Sequence, residues 1–282
     1  MSGNGRRTRM PIDVENAYRI TDRLAFPRLV GSEGELKARE IIEEEFRDAG
    51  YDKIHVESFK TSMMNWVLAR YMFIPLAVFL VAIAVAFYFS PWLTLILIGV
   101  LLGVALKVIS FVNSGEITLS RNEENNMETK NFHVKLTNEQ SKITVVFLGH
   151  YDTKSQTFPS AVRIAVIMIA AFGTISLLLI FLILSIIQLF IPFNFSLLNA
   201  ILFWISVTIG GVGVLNYFNK TGNRSPGAYD NAASVATVLE LARYFKENHL
   251  EHVSFVFLVP SSEELNLGGA KTFIKNHEGE FD

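Results

Sequence analysis

Four long apolar stretches interrupt a chain that otherwise alternates polar and apolar residues. Residues 71–89 carry no charged side chain, and a run of this length crosses the hydrocarbon core of a bilayer. Ser90 and Pro91 then break the helix, and residues 92–112 run back. Residues 164–216 contain no Asp, Glu, Lys or Arg, which leaves room for two more spans. The pattern predicts two transmembrane helical hairpins, and apolarity on all sides of the helices disfavours the alternative of a buried soluble hairpin.

The remaining segments show the pattern of an α/β domain. Residues 143–148 and 253–259 are nearly continuous apolar, β-branched or aromatic runs, typical of central strands that are buried on both faces. Amphipathic helical periodicity is present at 12–27, at 231–247 and at 268–276. Strands that alternate with helices predict an α/β three-layer sandwich with a mixed central sheet.

These patterns divide the chain into five segments. Three of them are expected to build one α/β domain, with the hairpins as insertions into it. The α/β segments are 1–66, 113–163 and 218–282, and the hairpins are 67–112 and 164–217.

Smaller signals refine the N-terminal part of the domain. Ser32 and Glu35 form a capping-box pattern that predicts the start of a helix. The acidic run at 43–45 is expected on the solvated face of that helix. Two histidines outside any motif, His55 on a half-buried strand and His277 in a helix tail, are expected at the surface.

Composition excludes some classes of function. The 282 residues carry a net charge of -2 and no basic stripe, which argues against a nucleic-acid partner. Cysteine is absent, so any metal has to bind through His, Asp and Glu.

Charge placement predicts the topology of the spans. The N-terminus is polar and basic and lacks the apolar core of a signal peptide. The hairpin tips carry no Lys or Arg, and the basic residues beside the spans all lie on the side of the α/β domain. The positive-inside rule therefore predicts a multi-pass membrane protein whose α/β domain faces the cytoplasm. Those basic residues are Arg70, Lys107, Arg163, Lys220 and Arg224.

Three short motifs carry candidate metal chemistry. His150 follows a predicted strand and can supply an imidazole ligand, while Asp152 can orient that imidazole. Asp230 stands at the start of a helix, and Glu263 and Glu264 follow the second predicted strand. One of the two glutamates can bind a cation while the other acts as general base. Taken singly, each motif also has an ordinary reading: a chance His-x-Asp, a helix N-cap and a solvated pair of glutamates.

In combination the motifs resemble the aminopeptidase-Y-like zinc-peptidase family (clan MH, family 28). The resemblance rests on Gly31-Ser32, on Gly149-His150-Tyr151-Asp152, on Gly227-Ala228-Tyr229-Asp230-Asn231 and on Glu263-Glu264. It implies a zinc-exopeptidase fold and hydrolysis of peptides, typically at a free N-terminal residue. Members include di-zinc aminopeptidases, glutamate carboxypeptidases and, more distantly, glutaminyl cyclases.

The resemblance also implies a role for each motif residue. His150 is then a ligand of the first zinc, Asp230 bridges two zinc ions and Glu264 is a ligand of the second. Glu263 is the general base, and Asp152 supports His150.

The chain departs from the family pattern in two respects. The hairpin at 164–217 separates His150 from Asp230 by more residues than is usual in the family. Two further ligands of the pattern, an Asp and a late His, are not reached before residue 282. We therefore expect either a fragment or a half-built site.

The expected function is a membrane-anchored, metal-dependent exopeptidase with peptide substrates and the lipid bilayer as partners. A non-catalytic membrane scaffold that keeps the peptidase fold is the alternative. A transporter is weaker, because among the residues of the spans only Lys107 is ionisable. The sequence does not indicate an oligomeric state.

Overall fold

The computed structural model describes residues 12–113, 119–120, 122–191 and 196–280. The chain divides into two compact units, each made of segments that are discontinuous in sequence. Unit 1 comprises Met1–Met63, Ile117–Ser155 and Gly222–Asp282, and unit 2 comprises Met64–Glu116 and Gln156–Thr221.

Helices and shorter strands follow one another along the described residues. The helices are α1 (Val14–Arg23), α2 (Glu33–Asp48), α3 (Met64–Phe89), α4 (Pro91–Asn113), α5 (Ser160–Phe190), α6 (Ser196–Leu215), α7 (Ala233–Glu247) and α8 (Gly268–Asn276). The strands are β1 (His55–Ser62), β2 (Asn126–Leu136), β3 (Ile143–Leu148), β4 (Ser155–Gln156), β5 (Thr221–Gly222) and β6 (Val253–Val259).

The main sheet of unit 1 is mixed. Its strand order is β1-β2-β6-β3. The β1–β2 and β2–β6 pairs are antiparallel, whereas β3 runs parallel to β6. The prediction of an α/β fold with a mixed sheet is therefore confirmed.

Helices pack against both faces of this sheet. One face buries its alternate residues, including Phe132 and Phe257, in a core shared with Phe46 of α2 and Val235 of α7. Each buried aromatic side chain of this kind contributes about 1.5–3 kcal/mol relative to exposure. The opposite face contacts α8, whose Phe273 clusters with Val256 and Leu258.

The expectation that β3 is a central strand buried on both faces is wrong for the described residues. There β3 lies at the edge of the sheet, and Ile143 and Leu148 are more than half exposed. Its unbroken apolar sequence resembles that of a central strand, but a run of apolar residues does not reveal how many neighbours a strand has. For β6 the expectation is correct, because the strand pairs on both sides and is buried along nearly its whole length.

The predicted capping of α2 is present in modified form. Ser32 accepts from the Glu35 amide, but the Glu35 carboxylate reaches back to the Gly31 amide at 2.6 Å. The acidic run is not wholly solvated, since Glu45 is buried and bonded to Arg19 and Arg23 of α1. The acidic run therefore helps to join α1 to α2.

Unit 2 is a bundle of apolar helices. Among the described residues, α3, α4, α5 and the α6 segment are long and apolar enough to cross a membrane, and at most 28% of each window is buried. Large side chains such as Trp92, Leu106, Phe190 and Trp204 are more than 60% exposed. Apolar residues therefore cover most of the outer surface of this unit, which is typical of membrane spans rather than of a soluble hairpin.

Small residues allow close helix contacts at one of the two glycine-rich places in the spans. A Cβ atom on Gly210 of α6 would lie 3.1 Å from the Ala77 Cβ of α3. Cβ atoms on Gly99 and Gly103 of α4, in contrast, would meet no described atom within 4 Å. Close packing therefore falls on the Gly210 cluster and not on the GxxxG pattern.

Candidate active site

The candidate site lies in unit 1, where two parallel strands end side by side. His150 follows β3, and Glu263 follows β6. The ladder continues past both strands, because the Gly149 amide donates to Leu258 O and the Tyr151 amide donates to Pro260 O. The carboxyl ends of neighbouring parallel strands open at the same sheet edge, so the two motifs meet there.

His150 is the centre of the site. Its Nε2 atom lies 3.3 Å from Asp230 Oδ1 and 3.5 Å from Glu263 Oε2. The imidazole is largely buried, whereas the Asp230 side chain, just before α7, is 70% exposed. The structure thus brings residues from three separate motifs to one imidazole nitrogen, with the open side at Asp230.

Asp152 joins the two strand ends. Its Oδ1 accepts from the Glu263 amide and its Oδ2 from the Glu264 amide, both at 3.1 Å. Its backbone oxygen lies 3.1 Å from His150 Nδ1, and its Oδ1 lies 3.5 Å from the same nitrogen. Fully buried, Asp152 both orients the imidazole and fixes the start of the Glu263–Glu264 loop.

Close packing places the His150 loop against α7. A Cβ atom on Gly149 would lie 2.9 Å from the backbone carbon of Ser234. Gly227, which precedes the Asp230 segment, has φ +58, and a Cβ there would lie 2.1 Å from Thr153 Cγ2. Both positions require glycine for these approaches, and Gly227 also requires it for its backbone conformation.

Arg28 holds the two loops together from inside the fold. This buried guanidinium donates to the carbonyl oxygens of Tyr151, Pro226 and Gly227 at 2.8, 2.9 and 3.2 Å. Its own amide donates to Thr153 Oγ1 at 2.7 Å. Burial lowers the pKa of Arg28 to about 10, so the side chain remains charged near neutral pH.

Glu264 is held by a lysine. Its Oε2 lies 2.7 Å from Lys154 Nζ, and the same ammonium donates to the Glu264 backbone oxygen at 3.1 Å. Both side chains are mostly buried. Glu263 is therefore the glutamate that faces His150, while Glu264 pairs with a cationic side chain.

The buried charges perturb one another. Burial disfavours the charged imidazole of His150, but the hydrogen bond with Asp152 and the negative charges of Asp152, Glu263 and Asp230 outweigh it and raise its pKa to about 9. Burial is also the main cause that raises the pKa of Glu263, although His150 opposes it. A carboxylate of raised pKa is suited to accept a proton from water.

The donor atoms around His150 fit one borderline cation. Four ligands at 2.0–2.1 Å from a tetrahedral zinc lie about 3.3 Å from one another, and the two carboxylate oxygens lie 3.3 and 3.5 Å from His150 Nε2. An imidazole nitrogen with carboxylate oxygens is a donor set that zinc accepts. Glu264 fits a second cation only if the Lys154 ammonium leaves its carboxylate.

Sequence reasoning identified the motif residues and missed their supports. Arg28 and Lys154 were not predicted to contribute, and nothing in their local sequence indicates partners more than 100 positions away. Charge offers one signal in retrospect, since each is a basic residue close to a motif in a chain of low charge content.

Comparison with known families gives one match. Residues 211–281 match the model of Peptidase family M28. This stretch holds Asp230, Glu263 and Glu264 and begins beyond His150 and Asp152. No protein of curated function matches the sequence.

Three solved structures resemble the fold at low identity. A glutaminyl cyclase from an Acidobacteriales bacterium matches with TM-score 0.45 and 12% identity over 99% of this chain and 58% of its own. A glutaminyl cyclase from Fimbriiglobus ruber gives 0.40 and 14% over 89% of this chain and 46% of its own. An aminopeptidase from Aneurinibacillus sp. strain AM-1 gives 0.44 and 13% over 95% and 67%. This chain thus spans about half the length of the two cyclases, and it is the match of residues 211–281 that supports a relation to peptidase family M28.

Proposed function

We propose that this chain is a membrane-anchored, metal-dependent peptidase that removes N-terminal residues from peptides. One observation carries the proposal: His150 Nε2 faces Asp230 and Glu263 at 3.3 and 3.5 Å, with Asp152 behind the ring. The family match over residues 211–281 points to the same chemistry.

Each residue has a role in this proposal. His150 and Asp230 hold the first zinc ion, and Asp152 keeps the imidazole in place. Zinc in such a site supplies Lewis acidity and lowers the pKa of a water molecule. Glu263 accepts the proton of the attacking water, and its raised pKa suits that task.

The proposed site takes two zinc ions, bridged by Asp230, with Glu264 as a ligand of the second. Lys154 competes for this role, because its ammonium already neutralises the Glu264 carboxylate at 2.7 Å. The variant Lys154→Met keeps the length of the side chain and removes its charge. We expect it to bind the second zinc more tightly than the parent chain, measured by titration of the metal-free protein.

The Lys154–Glu264 pair also favours a second candidate, a non-catalytic membrane scaffold with the peptidase fold. A buried ion pair at the position of a metal ligand stabilises a fold without a metal. The scaffold predicts no turnover in the parent chain or in Lys154→Met, whereas the peptidase predicts zinc-dependent turnover.

Activity is tested with the purified chain in detergent, zinc and a set of aminoacyl anilides. Glu263→Gln should abolish hydrolysis, by about a hundredfold or more, and should leave zinc bound. Glu251→Gln, at an exposed position of the same unit, is the matched control. Full activity of Glu263→Gln would exclude Glu263 as the base.

We also propose that α3 to α6 cross the membrane and that unit 1 faces the cytoplasm. The apolar outer surface of unit 2 and the placement of Arg70, Lys107, Arg163 and Lys220 beside the spans support this.

The absence of cysteine makes this topology straightforward to test. Single cysteines replace Ser90, between α3 and α4, and Glu124, an exposed residue of unit 1. In intact cells, a membrane-impermeant maleimide should label the cysteine at position 90 and reach the one at position 124 only after lysis. The reverse pattern would invert the orientation.

A further inference from the structure

A second group of metal-ligating side chains lies in unit 1, outside the motifs of the candidate active site. Glu57 on β1, His133 on β2 and His277 at the end of α8 each offer a donor atom, and these atoms all lie within 4.8 Å of one another. His277 Nε2 lies 2.5 Å from Glu57 Oε1, and His133 Nδ1 lies 4.0 Å from the same oxygen. We propose that Glu57, His133 and His277 bind a divalent transition metal ion, with zinc as the favoured ion.

His133 is the residue that distinguishes a metal site from a simple hydrogen-bonded cluster. It is only 2% exposed, and among the described residues neither of its ring nitrogens has a hydrogen-bond partner. A buried polar atom without a partner costs about 1–3 kcal/mol, and a cation between His133 and Glu57 removes that cost. Burial also lowers the pKa of His133 to about 3, which leaves the neutral imidazole that binds metals.

The ring of His133 is fixed in the orientation that presents Nδ1 to Glu57. His55, its partner in the register of β1 and β2, stacks on one side at 4.8 Å between ring centroids. Phe273 of α8 contacts the ring edge-on at 5.2 Å. Because both neighbours pack against it, the imidazole cannot turn to another partner without disturbing the interface between the sheet and α8.

The surrounding groups orient the other two ligands. Glu280 hydrogen-bonds to Nδ1 of His277 while Nε2 of the same ring faces Glu57. An imidazole whose second nitrogen is held by a carboxylate is the usual arrangement at protein zinc sites. Asn131 Nδ2 lies 3.5 Å from the second oxygen of Glu57, which holds the carboxylate in its present rotamer.

The donor set selects the ion. Two imidazoles and one carboxylate leave a fourth position open, as in zinc sites with three protein ligands. Calcium and magnesium prefer all-oxygen surroundings. The donor atoms have to move by less than about 1 Å to reach the separation of about 3.3 Å around a tetrahedral zinc.

This site would fix α8 to the sheet. The helix begins at Gly268, directly after the loop with Glu263 and Glu264, and ends at Asn276 beside His277. A metal at its carboxyl end ties the helix to β1 and β2 at a place remote in sequence from the loop. The role we infer is therefore structural.

The test measures zinc binding by the full chain in detergent after removal of metal with a chelator. His150→Ala serves as the background, because it disables the candidate active site and leaves this site intact. In that background Glu57→Gln and His277→Ala should each weaken zinc binding by about tenfold or more and abolish the rise in thermal midpoint on zinc addition. His249→Ala, an exposed histidine of the same unit, should leave both unchanged.

Two results decide the matter. Loss of one zinc equivalent in Glu57→Gln and His277→Ala, with circular dichroism equal to that of the background, supports the site. Unchanged zinc binding in Glu57→Gln, which alters a single side-chain atom and keeps the fold, would overturn it. Co²⁺ added instead of zinc should give absorption typical of tetrahedral coordination in the background and lose it in both variants.

Discussion

Arg28 Nε donates to the backbone oxygen of Tyr151 at 2.8 Å, a contact that joins residues 123 positions apart. The guanidinium also binds the backbone oxygens of Pro226 and Gly227. One buried side chain therefore positions the loop of His150 relative to the segment that leads to Asp230. The metal-binding geometry of the site depends on a residue that belongs to none of its motifs.

The variant Arg28→Lys should disrupt this arrangement without removing the charge. A lysine ammonium cannot reproduce the planar fork that reaches several carbonyl oxygens at once. We expect a loss of about 3 kcal/mol in the free energy of unfolding and zinc binding at the His150 site weaker by about tenfold. Arg47→Lys, at an exposed ion pair, is the control. Wild-type zinc affinity and wild-type denaturation midpoint in Arg28→Lys would contradict the positioning role.

Asp152→Asn tests how the strand ends are joined. The asparagine keeps one oxygen acceptor, so either the Glu263 amide or the Glu264 amide loses its partner. We expect zinc affinity to fall by about 10–100-fold while the circular dichroism spectrum stays the same. Asp52→Asn, an exposed position, should bind zinc normally, and equal affinities in the two variants would rule out the role of Asp152.

Much of the fold was predictable because local patterns report on local structure. The helix between Ser32 and Gly50, the strand β6 and the apolar helices of unit 2 follow from capping residues and hydrophobic periodicity. The edge position of β3 was not predictable, since its apolar sequence is equally typical of a strand with two neighbours.

The candidate site was predictable in its motifs and not in its pairings. His150, Asp230 and Glu263 meet as the strand ends imply. The ion pair of Lys154 with Glu264 joins positions 110 apart and leaves no periodic signal in the sequence. The exposure of a charged residue likewise depends on partners that tertiary packing brings together.

His277 shows the same limit. It was expected at the surface, yet its side chain is only 13% exposed and contacts Glu57 and Glu280. One signal in the sequence points toward the cluster: His55 and Glu57 share a strand face, because side chains two residues apart point to the same side. Which strand pairs with β1, and which helix covers it, follows only from the assembled sheet.

Helix packing in unit 2 predicts a contrast between two glycines. Gly210→Leu places a side chain against Ala77 at a separation that backbone atoms cannot relieve, whereas Gly99→Leu enters space that the described residues leave open. Overpacking costs about 1–3 kcal/mol, so Gly210→Leu should lower the thermal midpoint of the detergent-solubilised chain by several degrees and Gly99→Leu should not. Equal midpoints for the two variants would show that α3 and α6 do not pack at Gly210.

Glu240 gives unit 1 a pH-dependent contribution to stability. It is buried and accepts from the Asp13 amide at 2.7 Å, from Asn16 Nδ2 at 2.9 Å and from Arg243. Burial alone raises the pKa of Glu240, but these hydrogen bonds outweigh it and hold the pKa below its usual value. Because the folded pKa is lower than that of the unfolded chain, the contribution is complete above the unfolded pKa of about 4.3 and is lost as pH falls through the folded value.

Glu240→Gln should therefore destabilise the chain at neutral pH by about 2 kcal/mol and matter less in acid. The difference in denaturation midpoint between the parent and Glu240→Gln should be constant from about pH 6 to pH 8 and should shrink as pH falls below about 4. Glu247→Gln, on the exposed side of the same helix, should show no such difference. A parent chain that gains stability over Glu240→Gln as pH falls would contradict this account, because only a folded pKa above the unfolded value produces a gain in that direction.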